Sequence, residues 1–77
     1  MDVRQILGKN MRRIRVAAGL SQDEVAVRMG VEQTYVSGLE RGVRNPTLTT
    51  VDRAAVALNV KITELLEETA VSWSAAD

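Results

Sequence analysis

Residues 20–46 read LSQDEVAVRMGVEQTYVSGLERGVRNP, and this stretch decides the fold. It opens with a complete helix N-terminus. Ser21 stands at the N-cap and Glu24 follows at the third helical position, the reciprocal pattern of a capping box. Leu20 before the cap and Val25 at the fourth helical position form a hydrophobic staple. Val25, Ala26 and Met29 share the inward side of this helix, and Gly30 stops it after about nine residues. A helix that short is unstable alone, so packing must hold it. A second helix starts near Gln33, with Glu32 at the cap position and Val31 and Val36 as its staple. Arg41 ends it and Gly42 is the left-handed residue beyond. The unit is two short helices joined by a tight turn.

The flanking sequence is helical too. From Val3 to Ala18 the residues Val3, Ile6, Leu7, Met11, Ile14, Ala17 and Ala18 fall on one face, with Lys9, Arg12 and Arg13 pointing away and Gly19 as the stop. Asn10 lies inside that apolar stripe, and the helical pattern gives no account of it. A fourth helix is expected over Leu48–Leu58, capped by Thr47 and striped by Leu48, Val51, Ala55 and Leu58. A fifth is expected over Ile62–Glu68. Period-2 alternation and hairpin turns are missing, so the expectation is an all-α chain of five helices.

The chain has 77 residues, enough for one domain with a small core. One Tyr, one Trp and no Phe leave that core aliphatic. The chain has neither Cys nor His, which removes disulfides, thiolate metal sites and the commonest general base. No carboxylate stands beside a nucleophile or at metal-ligand spacing, so enzymatic activity and cofactors are not expected. No apolar run approaches the ~20 residues of a membrane span, and MDVRQILGKN lacks the apolar region of a signal peptide. A soluble cytoplasmic protein is the expectation. The formal charge is zero but unevenly spread: residues 1–53 carry nine Lys/Arg against six Asp/Glu, and residues 54–77 carry one against four. A field is felt by patch rather than by sum, so the basic part keeps nucleic acid open as a partner.

The chemistry lies on the second helix of the pair. At 100° per residue, Gln33, Thr34, Ser37, Gly38 and Arg41 fall within about 140° of one another, while Tyr35, Val36 and Leu39 take the opposite arc. A face that only solubilises carries Glu and Lys. This one offers an amide, two hydroxyls, a glycine and one cation. Gln pairs bidentately with adenine, hydroxyls serve several bases, and the Thr34 methyl suits the thymine methyl, all in a major groove of about 12 Å that admits a helix. Gln22, in the first turn of the preceding helix, is placed to meet a phosphate, and Arg41, Arg44, Asn45 and Thr47 surround the far end. Each residue also has a plainer reading. Exposed Gln, Thr and Ser are common on any surface. The Tyr35 ring belongs either to the core or, through its hydroxyl, to a phosphate. Gly38 either lets the helix approach a ligand or relieves crowding against the preceding helix.

Four runs together carry a family likeness: LGKNMRRIR (7–15), GLSQDEVAVRMGV (19–31), TYVSGLERGVRNPTL (34–48) and VDRAAVALNVKITELL (51–66). Leu7 to Leu66 resembles the phage-repressor/Cro type of helix-turn-helix domain, the compact five-helix lambda-repressor-like DNA-binding fold with its helix-turn-helix at helices 2 and 3. QTYVSGLERGVRNPTL is also similar to controller proteins of restriction–modification systems, which are small dimeric regulators. The resemblance implies base contacts at Gln33, Thr34 and Ser37 and a phosphate contact at Gln22. In the controller subset it implies further DNA contacts at Tyr35, Arg44 and Asn45. It also implies a salt bridge between Arg15 and Glu40, which the helical wheel allows at the edges of their apolar stripes. Asn59 stands where the family usually has Gly, and Lys61 where it usually has a Ser or Thr cap. Asn tolerates the left-handed conformation.

Expected from this reading is a DNA-binding domain over residues 1–69 and a tail over 70–77. It would be a sequence-specific transcription regulator that holds a pseudo-palindromic operator in double-stranded DNA as a homodimer. Two-fold symmetry would set half-sites about 34–36 Å apart or a multiple of that. Ile62, Leu65, Leu66 and Trp73 are the candidate dimer interface, with Trp73 folded back on the first helix as the alternative. With no separate ligand domain, no small-molecule effector is expected. The competing reading is an antitoxin or adaptor that uses the helical domain, and its acidic end, to hold a partner protein.

Overall fold

The computed structural model describes residues 2–68. Among them it has five α-helices: α1 Val3–Ala17, α2 Gln22–Met29, α3 Gln33–Glu40, α4 Leu48–Leu58 and α5 Ile62–Leu66. Local chemistry sets most of their ends. Asp2 caps α1, its carboxylate accepting the Arg4 backbone N–H at 3.0 Å. Ser21 and Glu24 form the reciprocal box: Ser21 Oγ accepts from Glu24 N at 3.0 Å and Glu24 accepts from Ser21 N at 2.7 Å. These backbone and side-chain bonds at Ser21 hold the Glu24 carboxyl below its ordinary range. Thr47 caps α4 through Thr50 N, 3.2 Å away. Glu32 begins α3 without a side-chain cap bond. Asn59 closes α4 in the left-handed conformation at φ 59°, where the family pattern has Gly.

The core is aliphatic. Leu7 and Met11 of α1, Val25, Ala26 and Met29 of α2, and Val36 and Leu39 of α3 meet Val51, Ala54, Ala55, Ala57 and Leu58 of α4 and Leu65 of α5. α1 runs beneath both α3 and α5, and α2 lies between α3 and α4. Gly8 lets α1 and α3 close together. A Cβ there would stand 2.5 Å from the Glu40 carbonyl oxygen and 2.6 Å from that of Leu39. On the other side, Arg28 of α2 donates to the Ala57 carbonyl at 3.0 Å and so serves an end of α4 whose carbonyls lack intrahelical partners.

Asn10, buried within the apolar stripe, has two of its three partners far along the chain. Its Nδ2 donates to the carbonyls of Leu65 at 2.9 Å and Glu67 at 2.7 Å, and its Oδ1 accepts from Arg13 at 3.1 Å. α5 thus ends on a side chain of α1. That termination comes two residues before the expected end at Glu68, with Glu67 already in an extended conformation.

Two apolar stripes are shorter than their periodicity suggests. Val3 is 57% exposed and Leu48 74% exposed, each on the first residue of its helix, where the turn overhangs the core, and Ala17 and Ala18 at the other end of α1 are exposed as well. Leu65 departs from expectation in the other direction. Its side chain is wholly buried within this one chain, so it is a core residue and has no surface to offer a dimer. Ile62 and Leu66 are half-buried at the margin of the same core. Trp73 lies outside the described residues.

Candidate nucleic-acid interface

The N-terminus of α2, the outer face of α3 and the segment 41–47 form one continuous edge of the molecule. Gln22 and Gln33 are each the first residue of a helix, α2 and α3, and the tight turn at Gly30 brings those two starts together. Gln33 Nε2 donates to Gln22 Oε1 at 2.6 Å, and Gln22 Nε2 donates to Glu40 Oε1 at 3.0 Å.

Beneath them, Glu40 receives the Arg15 guanidinium on both oxygens, from Nε at 2.6 Å and Nη2 at 3.0 Å. The third nitrogen, Nη1, donates to the Leu20 carbonyl at 2.9 Å. The Glu40 side chain is 3% exposed and that of Arg15 11%. The bond to Glu40 raises Arg15 above its ordinary value, against the cost of burial. The resemblance implied this ion pair, and the structure places it as implied. A bidentate pair with both groups buried is geometrically specific, and removing one partner strands a buried charge.

The other candidate residues divide by exposure. Thr34 is exposed in the first turn of α3, and Ser37, one turn on, is half-buried. Arg41 is exposed and its Nε donates to Ser37 Oγ at 3.4 Å. Arg44 and Asn45 are exposed in the loop before α4. The half-buried Tyr35 packs against the core, and the Arg44 guanidinium lies over its ring, 5.2 Å from the centroid. The ring is thus anchored in the protein, as the core reading of Tyr35 expects, and it also carries a loop cation.

Gly38 is buried, and it belongs neither to the free face nor to the contact with α2. A Cβ on it would stand 2.9 Å from Arg44 Cγ and 3.0 Å from Arg44 Nε. It is the opening through which Arg44 crosses α3 to reach Tyr35. Neither this role nor the bond from Gln22 to Glu40 is carried by local sequence pattern. The one local signal was that Gln22 and Gln33 hold equivalent positions, each immediately after a helix cap.

A helix-turn-helix family model matches residues 11–65. The chain belongs to the helix-turn-helix family. A curated relative in Sinorhizobium fredii, the uncharacterized HTH-type transcriptional regulator y4dJ, is 48% identical over 69 residues, covering 90% of this chain and 90% of that one. The control protein C.SmaI of Serratia marcescens is 41% identical over 66 residues, covering 86% of this chain and 79% of its own. Among solved structures, the restriction-modification controller protein C.Esp1396I, seen as a tetramer in complex with its natural 35 base-pair operator, superposes with a TM-score of 0.75 at 25% identity, covering 87% of this chain and 99% of that one. The likeness to repressor-type domains and to controller proteins is thereby borne out, as is the five-helix fold. α2 and α3 are the helix-turn-helix pair, and α1, α4 and α5 are its support. None of the described helices is long and apolar enough to cross a membrane.

Proposed function

We propose that this helix-turn-helix protein regulates transcription without catalysis of its own, in the cytoplasm, by binding a pseudo-palindromic operator in double-stranded DNA as a homodimer. α3 enters the major groove. Gln33, Thr34 and Ser37 contact base edges, while Gln22, Tyr35, Arg41, Arg44 and Asn45 hold the sugar–phosphate backbone on either side. The observation that carries this reading is the arrangement of the α3 edge. An uncharged face fit for base edges lies between an amide at one end and two exposed cations at the other. That C.Esp1396I is seen in complex with its natural operator supports operator DNA as the partner. The likeness to C.SmaI supports a place beside a restriction–modification system, which a neighbouring methyltransferase and endonuclease pair in the genome would test.

Residues 1–69 form the DNA-binding unit in this reading, with residues 70–77 as a tail. Ile62 and Leu66 contribute to the two-fold contact, and Leu65 does not. Sedimentation at micromolar concentration tests the dimer, and a monomer there refutes it. The DNA contacts are tested by a pair of substitutions. Arg44→Ala weakens binding to all sequences alike and lowers the salt dependence by about one phosphate equivalent. Gln33→Ala changes which sequence is preferred. Unaltered binding in both variants refutes the assignment of this edge.

A further inference from the structure

Glu40 reaches no surface from which it would touch a nucleic acid; its side chain is 3% exposed. It is nevertheless bonded, through one residue, to the proposed base reader. Arg15 occupies both Glu40 oxygens, and Oε1 accepts in addition from Gln22 Nε2 at 3.0 Å. A carboxylate has no proton to give and can only accept. Gln22 must therefore turn its NH2 group to Glu40, which leaves its Oε1 toward Gln33. That oxygen, in turn, accepts only a donor, so Gln33 must present its NH2 at the 2.6 Å contact. The direction of each bond follows from the one beneath it.

We infer that Glu40 is a positioning residue for base recognition: through Gln22 it fixes which way round the Gln33 amide faces, and so makes Gln33 a reader of adenine that rejects guanine. This rests on the reading of α3 as the base-contacting helix. In the observed orientation Gln33 spends one N–H on Gln22. Its second N–H and its Oε1 remain free. That donor–acceptor pair matches the N7 acceptor and N6 donor of adenine. Guanine presents two acceptors, N7 and O6, so Gln33 Oε1 would face O6 with no proton between them. Turned the other way, with Oε1 on Gln22, the amide would show two donors and suit guanine. Arg15 belongs to the same device, because its two bonds to Glu40 hold the carboxylate in place beneath Gln22.

The test uses the full-length protein and duplexes that carry its selected operator, altered only at the base pair contacted by Gln33. Wild type prefers adenine to guanine there by about 5- to 100-fold, the range of a good bidentate pair. In Glu40→Gln the residue beneath Gln22 can donate as well as accept, so both orientations are populated. The adenine-to-guanine ratio falls below about threefold, while preferences at the Thr34 and Ser37 positions persist. Gln22→Met cuts the relay but leaves the Arg15–Glu40 pair in place. It lowers the same ratio even if Glu40→Gln proves too unstable to assay, and it also weakens overall affinity. Retention of the wild-type ratio in folded Gln22→Met or Glu40→Gln overturns the inference, as does a wild-type preference for guanine at that pair. Failure of the underlying reading looks different: Gln33→Ala then leaves every base preference unchanged.

Discussion

Replacing Gly38 by Ala separates stability from binding in a way that follows from one close contact. Gly38 lies in the interior of α3 with no positive φ, so an Ala backbone fits there. Helix propensity alone favours Ala by about 0.8–1.0 kcal/mol. The added methyl would meet Arg44 at Cγ 2.9 Å and Nε 3.0 Å away. These atoms belong to a long, exposed side chain that can swing out, not to backbone. Leaving its place costs Arg44 the stacking on Tyr35, about 0.5–1 kcal/mol at an exposed site. The two terms nearly cancel, so thermal unfolding shifts by less than about 4 °C in a domain of this size. DNA binding does not share that cancellation. With Arg44 displaced from the groove edge, affinity falls for all sequences alike and the salt slope drops by about 0.9. Melting by circular dichroism together with fluorescence-anisotropy titrations at several salt concentrations reads both effects. In an Arg44→Ala background the same Gly38→Ala change gives the full propensity gain and no further loss of affinity, because the two residues act through one contact. A fall of 10 °C or more in melting temperature, or unchanged affinity and salt slope, refutes the role given to Gly38.

Three further outcomes are expected from the scaffold. Asn10→Ala leaves the carbonyls of Leu65 and Glu67 without their buried donor, and urea unfolding registers a loss of about 1–3 kcal/mol. Gly8→Ala drives a methyl into the backbone oxygens of Leu39 and Glu40, forcing α1 from α3; it costs at least about 1–3 kcal/mol in the same assay and, unlike Gly38→Ala, has no flexible neighbour to yield. Glu24 titrates lower in the folded chain than in the unfolded one, so its contribution to stability is present above the ordinary Glu value and lost as pH falls through the depressed one. Glu24→Gln therefore shows a weaker acid dependence of melting below about pH 4.5, and an identical acid limb in both proteins contradicts the capping role.

What was legible in the sequence was what the chain settles with its immediate neighbours. Ser21 with Glu24, Thr47, and the left-handed Gly19, Gly30, Gly42 and Asn59 each act within a few residues, so they located the helix ends closely. Periodicity found the core stripes but carried them too far at Val3, at Ala17 and Ala18, and at Leu48, since a repeat cannot show where the opposing surface ends. Long-range partners were beyond it. Asn10 made no sense until α5 arrived 55 residues later to receive its amide. Leu65 read as spare apolar surface because the short α5 exposes its periodicity but not the depth at which it is set. In the candidate site the residue types and their common face were readable from the wheel. The contacts that orient them were not, because Glu40 meets Gln22 across a fold and Gly38 yields to a loop that follows it.

The most direct test of the central claim is selection of bound duplexes from a random-sequence pool by the wild-type protein. The expected result is enrichment of one inverted repeat, with centres of its halves about one helical turn or a multiple apart, and an adenine in each half whose preference depends on Gln33. Recovery of no common sequence, with binding that tracks only salt and duplex length, would contradict it.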